Sequence, residues 1–378
     1  MIYAIPYLLL YTFFLSLYYR KVALSKQIPN TYKTEKNYII VALIVYLLFF
    51  GLRGYIFTDC YQYHEFYEDL DHKKFTITYI DALFEPGYII SNIILHSISD
   101  NPFFFQFIWT LIDLILLYII LRRETNKYFL LAFAFLIPFF EGIQMNLFRN
   151  IKAILIFFWA IKYIRQQKLI KYTLSILLAS TFHLTALLFW PLYFIINKNM
   201  RKSMIIICCI SIIFYFIGLN SLLGDMIVIA SFLGGKFERI TNSYIDSAEQ
   251  TGFTFGFIYR IILMFYLLIL YRKLSKKNLI MLNLGLLYIC CSMFFNDILV
   301  LRDRFIALFA LAVPCILPYV APCINSRGGK NLFIILNLLF TLAYTYVQNS
   351  QLIAKYENIL FGISSKNEVQ RRVENSTR

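Results

Sequence analysis

Five arginines, Arg53, Arg149, Arg260, Arg302 and Arg304, stand at the ends of apolar segments rather than in the basic connectors between them. A guanidinium is a flat fork of donors that matches the oxygens of phosphate or diphosphate. The charge pattern assigns all five to the outer side of a membrane, against the usual bias of Lys and Arg toward the inner side. Such a set suits a phosphorylated, lipid-linked substrate handled on the non-cytoplasmic face. Other candidate groups accompany them. In Thr58-Asp59-Cys60-Tyr61-Gln62-Tyr63-His64, Asp59 and Tyr63 share one face of a helix. With Arg53 they could hold sugar hydroxyls and a phosphate; equally, the stretch could be an interfacial anchor with Arg53 on lipid phosphate. Glu85-Pro86-Gly87-Tyr88 opens a helix: Pro86 fits its first turn and Glu85 its positive end, so Glu85 reads as a cap as readily as a base.

Arg149, in Leu147-Phe148-Arg149-Asn150, is a mouth-facing charge and so a functional candidate, with pairing to Glu141 as the plain alternative. His183, in Ser180-Thr181-Phe182-His183, could accept a proton from a sugar hydroxyl, or be a satisfied core residue. Arg302-Asp303-Arg304 reads either as a diphosphate clamp on a bent backbone or as one clamp arginine beside one salt bridge. Arg260 lies just inside an outer helix end.

These groups need a frame. The chain has 378 residues, 60% hydrophobic and 15% charged, far more apolar than a soluble globular protein. Apolar runs of about 15–20 residues must be helices, because backbone groups in hydrocarbon are satisfied only within the segment. Residues 2–19 lack a basic n-region and a small-residue cleavage site, and read as a first transmembrane helix. The formal charge of +15 sits in short connectors at 20–36, 122–127, 162–171, 198–202, 272–277 and 327–330. That is the pattern of cytoplasmic loops, and with no soluble basic domain it excludes nucleic acid as a partner. The seven cysteines have no C-x-x-C spacing, which argues against a disulfide framework or zinc site.

Crossings between two inside loops must be even in number. Three apolar runs, 38–52, 84–98 and 103–121, lie between connectors 20–36 and 122–127; a single run, 172–196, lies between 162–171 and 198–202. Parity returns if 84–98 does not span, which makes 53–101 a large outer loop with one or two interfacial helices. It also returns if 172–196 breaks near His183 into a re-entrant hairpin. The expected fold is all-α and polytopic, with about 11–13 membrane segments. It forms one integral membrane domain over 1–362, with outer loops 53–101 and 220–253, followed by a disordered polar tail over 363–378. No phosphate-binding G-x-x-x-x-G-K-[ST] loop, H-E-x-x-H or G-x-S-x-G is present. No cofactor and no metal are expected.

In these stretches the chain resembles the EpsG/Wzy type of bacterial polysaccharide polymerase. The resemblance runs through Arg53 to Tyr63, Glu85-Pro86-Gly87-Tyr88, Phe148-Arg149-Asn150, and the basic segment Gln166-Gln167-Lys168-Leu169-Ile170-Lys171-Tyr172. It continues through Ala179-Ser180-Thr181-Phe182-His183-Leu184-Thr185-Ala186-Leu187, Arg302 to Phe305, and Tyr356-Glu357-Asn358-Ile359-Leu360. Asn150 departs from the usual Gln, and Tyr356-Glu357-Asn358 lacks the usual nearby Pro and Lys. The resemblance implies a GT-C-like glycosyltransferase at the outer face of the bacterial inner membrane. It would move a growing glycan from undecaprenyl diphosphate to the next lipid-linked repeat, with membrane lipids, a chain-length regulator and a flippase as partners. On that reading Arg53, Arg149, Arg260, Arg302 and Arg304 hold diphosphate. His183, Asp59 and Glu85 are the candidate bases, and Tyr63 and Tyr88 stack on sugars. A lipid-linked oligosaccharide flippase, a polysaccharide ligase and a membrane acyltransferase remain the alternatives.

Overall fold

A computed structural model describes residues 2–27, 32–70, 84–218 and 254–376. It is all-α, with no strand among the described residues. The chain forms two compact units, residues 1–194 with 341–378, and residues 195–340.

The first unit contains α1 (Ile5–Gln27), α2 (Tyr32–Gly51), α3 (Asp59–Glu68), α4 (Pro86–His96), α5 (Pro102–Thr125), α6 (Phe129–Asn146), α7 (Phe148–Arg165) and α8 (Leu169–Ser180). Its centre is α6, apolar around most of its circumference and buried from Phe129 to Met145 with few breaks. Such a helix must be surrounded. Phe133 takes Phe14 of α1 at 5.1 Å and Tyr46 of α2 at 5.4 Å between ring centroids. At one end of α5 and α7 the fork of Arg165 grips Glu124 through two bonds, 2.8 and 2.5 Å, while Arg123 donates to the Phe158 and Trp159 carbonyls. The basic connectors 122–127 and 162–171 therefore meet at one face, as their common charge led us to expect.

Segment 53–101, expected as an outer loop, contributes α3 and α4; residues 71–83 within it lie outside the described residues. Run 172–196 does break at His183. Helix α8 ends at Ser180, a turn follows, and a 3-10 helix over Leu184–Phe189 folds back. The hairpin is pinned by Tyr172 Oη donating to Phe189 O at 2.6 Å and Trp190 Nε1 donating to Thr173 Oγ1 at 3.1 Å.

After α14 (Arg327–Gln348), the chain returns across the end of α2. Gly54 N donates to Glu357 O and Ile359 N to Leu52 O, each at 2.8 Å. A Cβ at Gly54 would stand 2.8 Å from Ile363 Cγ2, so glycine permits this close crossing. Residues 363–378, expected to be a disordered tail, instead include α15 (Lys366–Ser376). Arg372 on α15 donates to Glu357 Oε1 at 2.7 Å, an anchor that composition does not reveal.

The second unit holds α9 (Arg201–Ile217), α10 (Phe255–Ile269), α11 (Tyr271–Phe294), α12 (Leu299–Phe309), α13 (Ala312–Cys323) and the first part of α14. Asn283 of α11 ties the chain before α9 by donating to Ile196 O at 2.9 Å and Lys198 O at 3.1 Å. The expected outer loop 220–253 lies outside the described residues.

Four described helical stretches are long and apolar enough to cross a membrane: Ile2–Leu24, Pro102–Asn146, Tyr271–Phe294 and Arg327–Gln348. The pair Leu301–Phe309 and Ala312–Cys323, bent by 59°, would make a fifth. The expected 11–13 segments counted runs that fold here as shorter pieces, such as α8 with 12 residues and α10 with 15. The protein is a polytopic helical membrane protein.

Candidate functional site

The motif Glu85-Pro86-Gly87-Tyr88 starts α4 with proline in the first turn, where its missing N–H costs nothing. The next residue explains why the turn must be glycine. Gly87 N donates to Thr181 O at 2.8 Å, and a Cβ at position 87 would fall 2.3 Å from Thr181 Oγ1 and 2.8 Å from Thr181 O. Two motifs 94 residues apart in sequence (181 less 87) are thus pressed together: the head of α4 against the turn after α8. Within that turn His183 Nδ1 meets Thr185 Oγ1 at 2.7 Å and lies 3.3 Å from Thr185 N, so the imidazole caps the 3-10 helix.

Arg149, at the start of α7, reaches this junction. Its Nη1 lies 2.5 Å from Glu85 Oε2, and Glu85 Oε1 accepts from Leu184 N at 3.3 Å. The acid partner of Arg149 is therefore Glu85; Glu141 instead accepts from Asn349. Aromatic faces enclose the guanidinium, with Phe84 at 4.6 Å and Tyr63 at 5.9 Å from its central carbon. Burial would lower the Arg149 pKa, but Tyr63 and Glu85 outweigh it and the net shift is upward. Burial also raises the Tyr63 phenol, opposed by Arg149. The pair stays partly open, with 19% of the Arg149 side chain and 13% of the Glu85 side chain exposed.

Behind the junction lies an aromatic cluster of Tyr63, Tyr67, Tyr88, Phe105, Trp109 and Phe148. Tyr63 meets Tyr88 edge-on at 5.8 Å and Phe148 at 5.2 Å. Asp59 heads α3 one turn before Tyr63; its N–H donates to Asn146 Oδ1 and its carboxylate accepts from Thr58 Oγ1. Arg53 sits below Phe148, 4.9 Å from the ring centre, and is fully buried. Its guanidinium donates to the Phe50, Gln144 and Met145 carbonyls, capping the ends of α2 and α6. Nearby, His64 is also fully buried, and its pKa is pushed down to about 3, first by burial and then by Arg53.

Tyr63, Tyr88, Glu85, Arg149 and the turn of His183 thus converge in the first unit, with Asp59 and Arg53 on its adjoining elements. Arg260, Arg302 and Arg304 belong to the second unit. Arg260 lies over Gly256, with Nη1 3.7 Å from the point a Cβ would occupy. Arg302 Nε donates to Asp303 Oδ1 at 3.0 Å, and Arg304 is exposed.

Sequence reasoning passed over one further pair. Lys152, one turn beyond Arg149 on α7, puts Nζ 2.5 Å from Asp113 Oδ2 of α5 and 4.6 Å from the Trp109 ring centre. Gln144 also donates to that carboxylate, at 3.1 Å, and accepts from Tyr46 Oη. Both charged side chains are almost wholly buried. The signal was present, since each is an ionisable residue inside a run read as membrane-spanning.

The model of the EpsG family matches residues 36–359, most of the chain. That span includes every candidate residue named above. Neither the curated proteins nor the solved structures include a match to this chain.

Proposed function

From the premise that the chain belongs to the EpsG family, we propose that it is a glycosyltransferase that polymerises a surface polysaccharide from lipid-diphosphate-linked repeats at the outer face of the cytoplasmic membrane. The observation that carries the reading is the Arg149–Glu85 junction, a partly open ion pair lined by Tyr63 and Phe84 and closed on one side by the His183 turn.

In the proposed reaction the acceptor hydroxyl oxygen attacks the anomeric carbon of the growing glycan. The bond from that carbon to the diphosphate oxygen breaks, and the carrier leaves as its diphosphate. Arg149 stabilises the charge gathering on the leaving group, as fixed donors do where charge develops. The hydroxyl proton passes to His183 or Asp59. Tyr63 and Phe84, beside the guanidinium, form the wall against which a sugar ring stacks. Tyr88, expected to share that role, is fully buried and instead supports Tyr63 edge-on at 5.8 Å. The donor is already activated, so the reaction needs no nucleotide.

The deciding experiment is extension of a defined lipid-linked repeat by the purified protein, without nucleotide. We expect a ladder of products, which a flippase would not make. Arg149→Ala, shown to insert and fold, should lower the rate by about 10²–10³. A normal ladder from that variant would end the reading.

A further inference from the structure

Arg149 already holds an anion. Glu85 lies against it at 2.5 Å, a charge-assisted contact of the stronger kind. The carboxylate is also supported from behind: Leu184 N donates to its second oxygen at 3.3 Å, and Glu85 is the N-cap residue of α4, at the positive end of an 11-residue helix. Both oxygens are therefore engaged, one by the mobile end of a long side chain and one by backbone. Any phosphate that is to reach this face of Arg149 must take the place of the first oxygen. The displaced carboxylate would not be stranded, because the Leu184 N–H still donates to it and the start of α4 favours negative charge there, although no side-chain cap bond is made.

We propose that Glu85 is a built-in stand-in for the donor's phosphate, occupying Arg149 until a diphosphate exchanges for it. The inference rests on the functional reading above and adds a residue that governs which anions enter. A membrane presents phosphodiester headgroups at high density. Each carries one charge, the same as the carboxylate it would evict, so the exchange gains no electrostatic attraction. A diphosphate diester carries two charges and gains one. Bulk phospholipid is kept off Arg149 while the dianionic carrier is admitted. Phe84 and Tyr63, flanking the guanidinium at 4.6 and 5.9 Å, reduce its solvation and strengthen whichever anion contact is made.

The test is direct binding, which does not depend on turnover. The protein in a phosphate-free maltoside detergent is titrated with inorganic pyrophosphate by calorimetry. Glu85→Gln keeps the shape and removes the charge, and should bind pyrophosphate at least about tenfold more tightly than wild type. Glu85→Asp, shorter by one methylene, should show a smaller gain and serves if the glutamine variant does not fold. Adding phosphatidylglycerol to the micelles should weaken pyrophosphate binding by Glu85→Gln and leave wild type unchanged, which separates lipid headgroup from free phosphate as occupant. Arg149→Ala should lose the site altogether. Binding by the Glu85 variants no tighter than wild type, or undiminished in Arg149→Ala, overturns the proposal. A wild-type protein that shows the exchange yet elongates no glycan would sink the polymerase reading and leave this one standing.

Discussion

At the scale of single residues, Gly87 and His64 make the sharpest demands. A methyl group at position 87 cannot be relieved by moving one side chain, because Thr181 O is backbone and would stand 2.8 Å away. Gly87→Ala should therefore push the head of α4 off the His183 turn, with an overpacking cost of about 1–3 kcal/mol. Thermal unfolding in detergent should register the loss, and polymer yield should fall with it. Removing the Thr181 hydroxyl as well would relieve only the 2.3 Å contact, so Gly87→Ala with Thr181→Ala should recover part of the stability. Full recovery would show that the backbone clash does not matter. His64 is neutral in the fold because its pKa lies near 3 rather than 6.5. The unfolded imidazole binds a proton below pH 6.5 and the folded one does not, so stability is complete above that pH. It falls as the pH drops from 6.5 toward 3, by about 1.4 kcal/mol per pH unit. His64→Asn should remove that share of the slope in a plot of melting temperature against pH. An unchanged slope would mean the imidazole is charged in the native protein.

Elements explain what single residues could not foretell. The break of run 172–196 was legible because crossings must pair, and a 25-residue apolar run cannot supply two full spans (172 to 196 inclusive). The same count made run 84–98 a non-spanning piece, and it folds as the 11-residue α4, shorter than a full span. Which residues the broken run would touch was not, since the partner of Arg149 comes from a loop 64 residues earlier and depends on where α4 docks. Asp113 and Lys152 were visible as charges in apolar runs, but no spacing rule joins residues 39 apart. The C-terminal segment was misread for a similar reason: a polar composition says nothing of one buried pair that fixes it. Glu357 carries that segment. Burial would raise its pKa, but bonds from Ser364 and Arg372 outweigh burial and the net shift is downward. Its contribution is thus complete above the ordinary carboxylate value of 4.5 and is lost as the pH falls through the lower folded value. Glu357→Gln leaves the buried Arg372 with only the more exposed Glu368, at 3.3 Å, as an ion partner, at a cost of up to about 3 kcal/mol. The gap in melting temperature between wild type and variant should be constant above about pH 5 and close under more acidic conditions. A gap that widens in acid would reverse the sign assigned here.

On the scale of the whole molecule, α7 fixes the direction in which the chemistry faces. Arg149 in its first turn joins Glu85, and Arg165 in its last turn joins Glu124. Sixteen residues separate the two ion pairs (165 less 149), which at 1.5 Å per residue is about 24 Å, close to the thickness of a bilayer's hydrocarbon. If α7 crosses the bilayer, although its four basic residues keep it out of the most apolar stretches, it carries the two ionic clusters to opposite water boundaries. The cluster at Arg165 lies among the basic connectors 122–127 and 162–171, so on the proposed reading the positive-inside bias predicts a cytoplasmic Arg165 and an outer Arg149. Reporter fusions read this directly. A fusion ending at Asn146 should give active alkaline phosphatase and a dark fluorescent protein, and one ending at Gln167 the reverse. The opposite pattern would turn the Arg149–Glu85 junction toward the cytosol. A carrier whose glycan is displayed on the outer leaflet could not then reach it, and a cytoplasmic donor, such as the acyl donor of a membrane acyltransferase, would become the substrate that the same arginine has to serve.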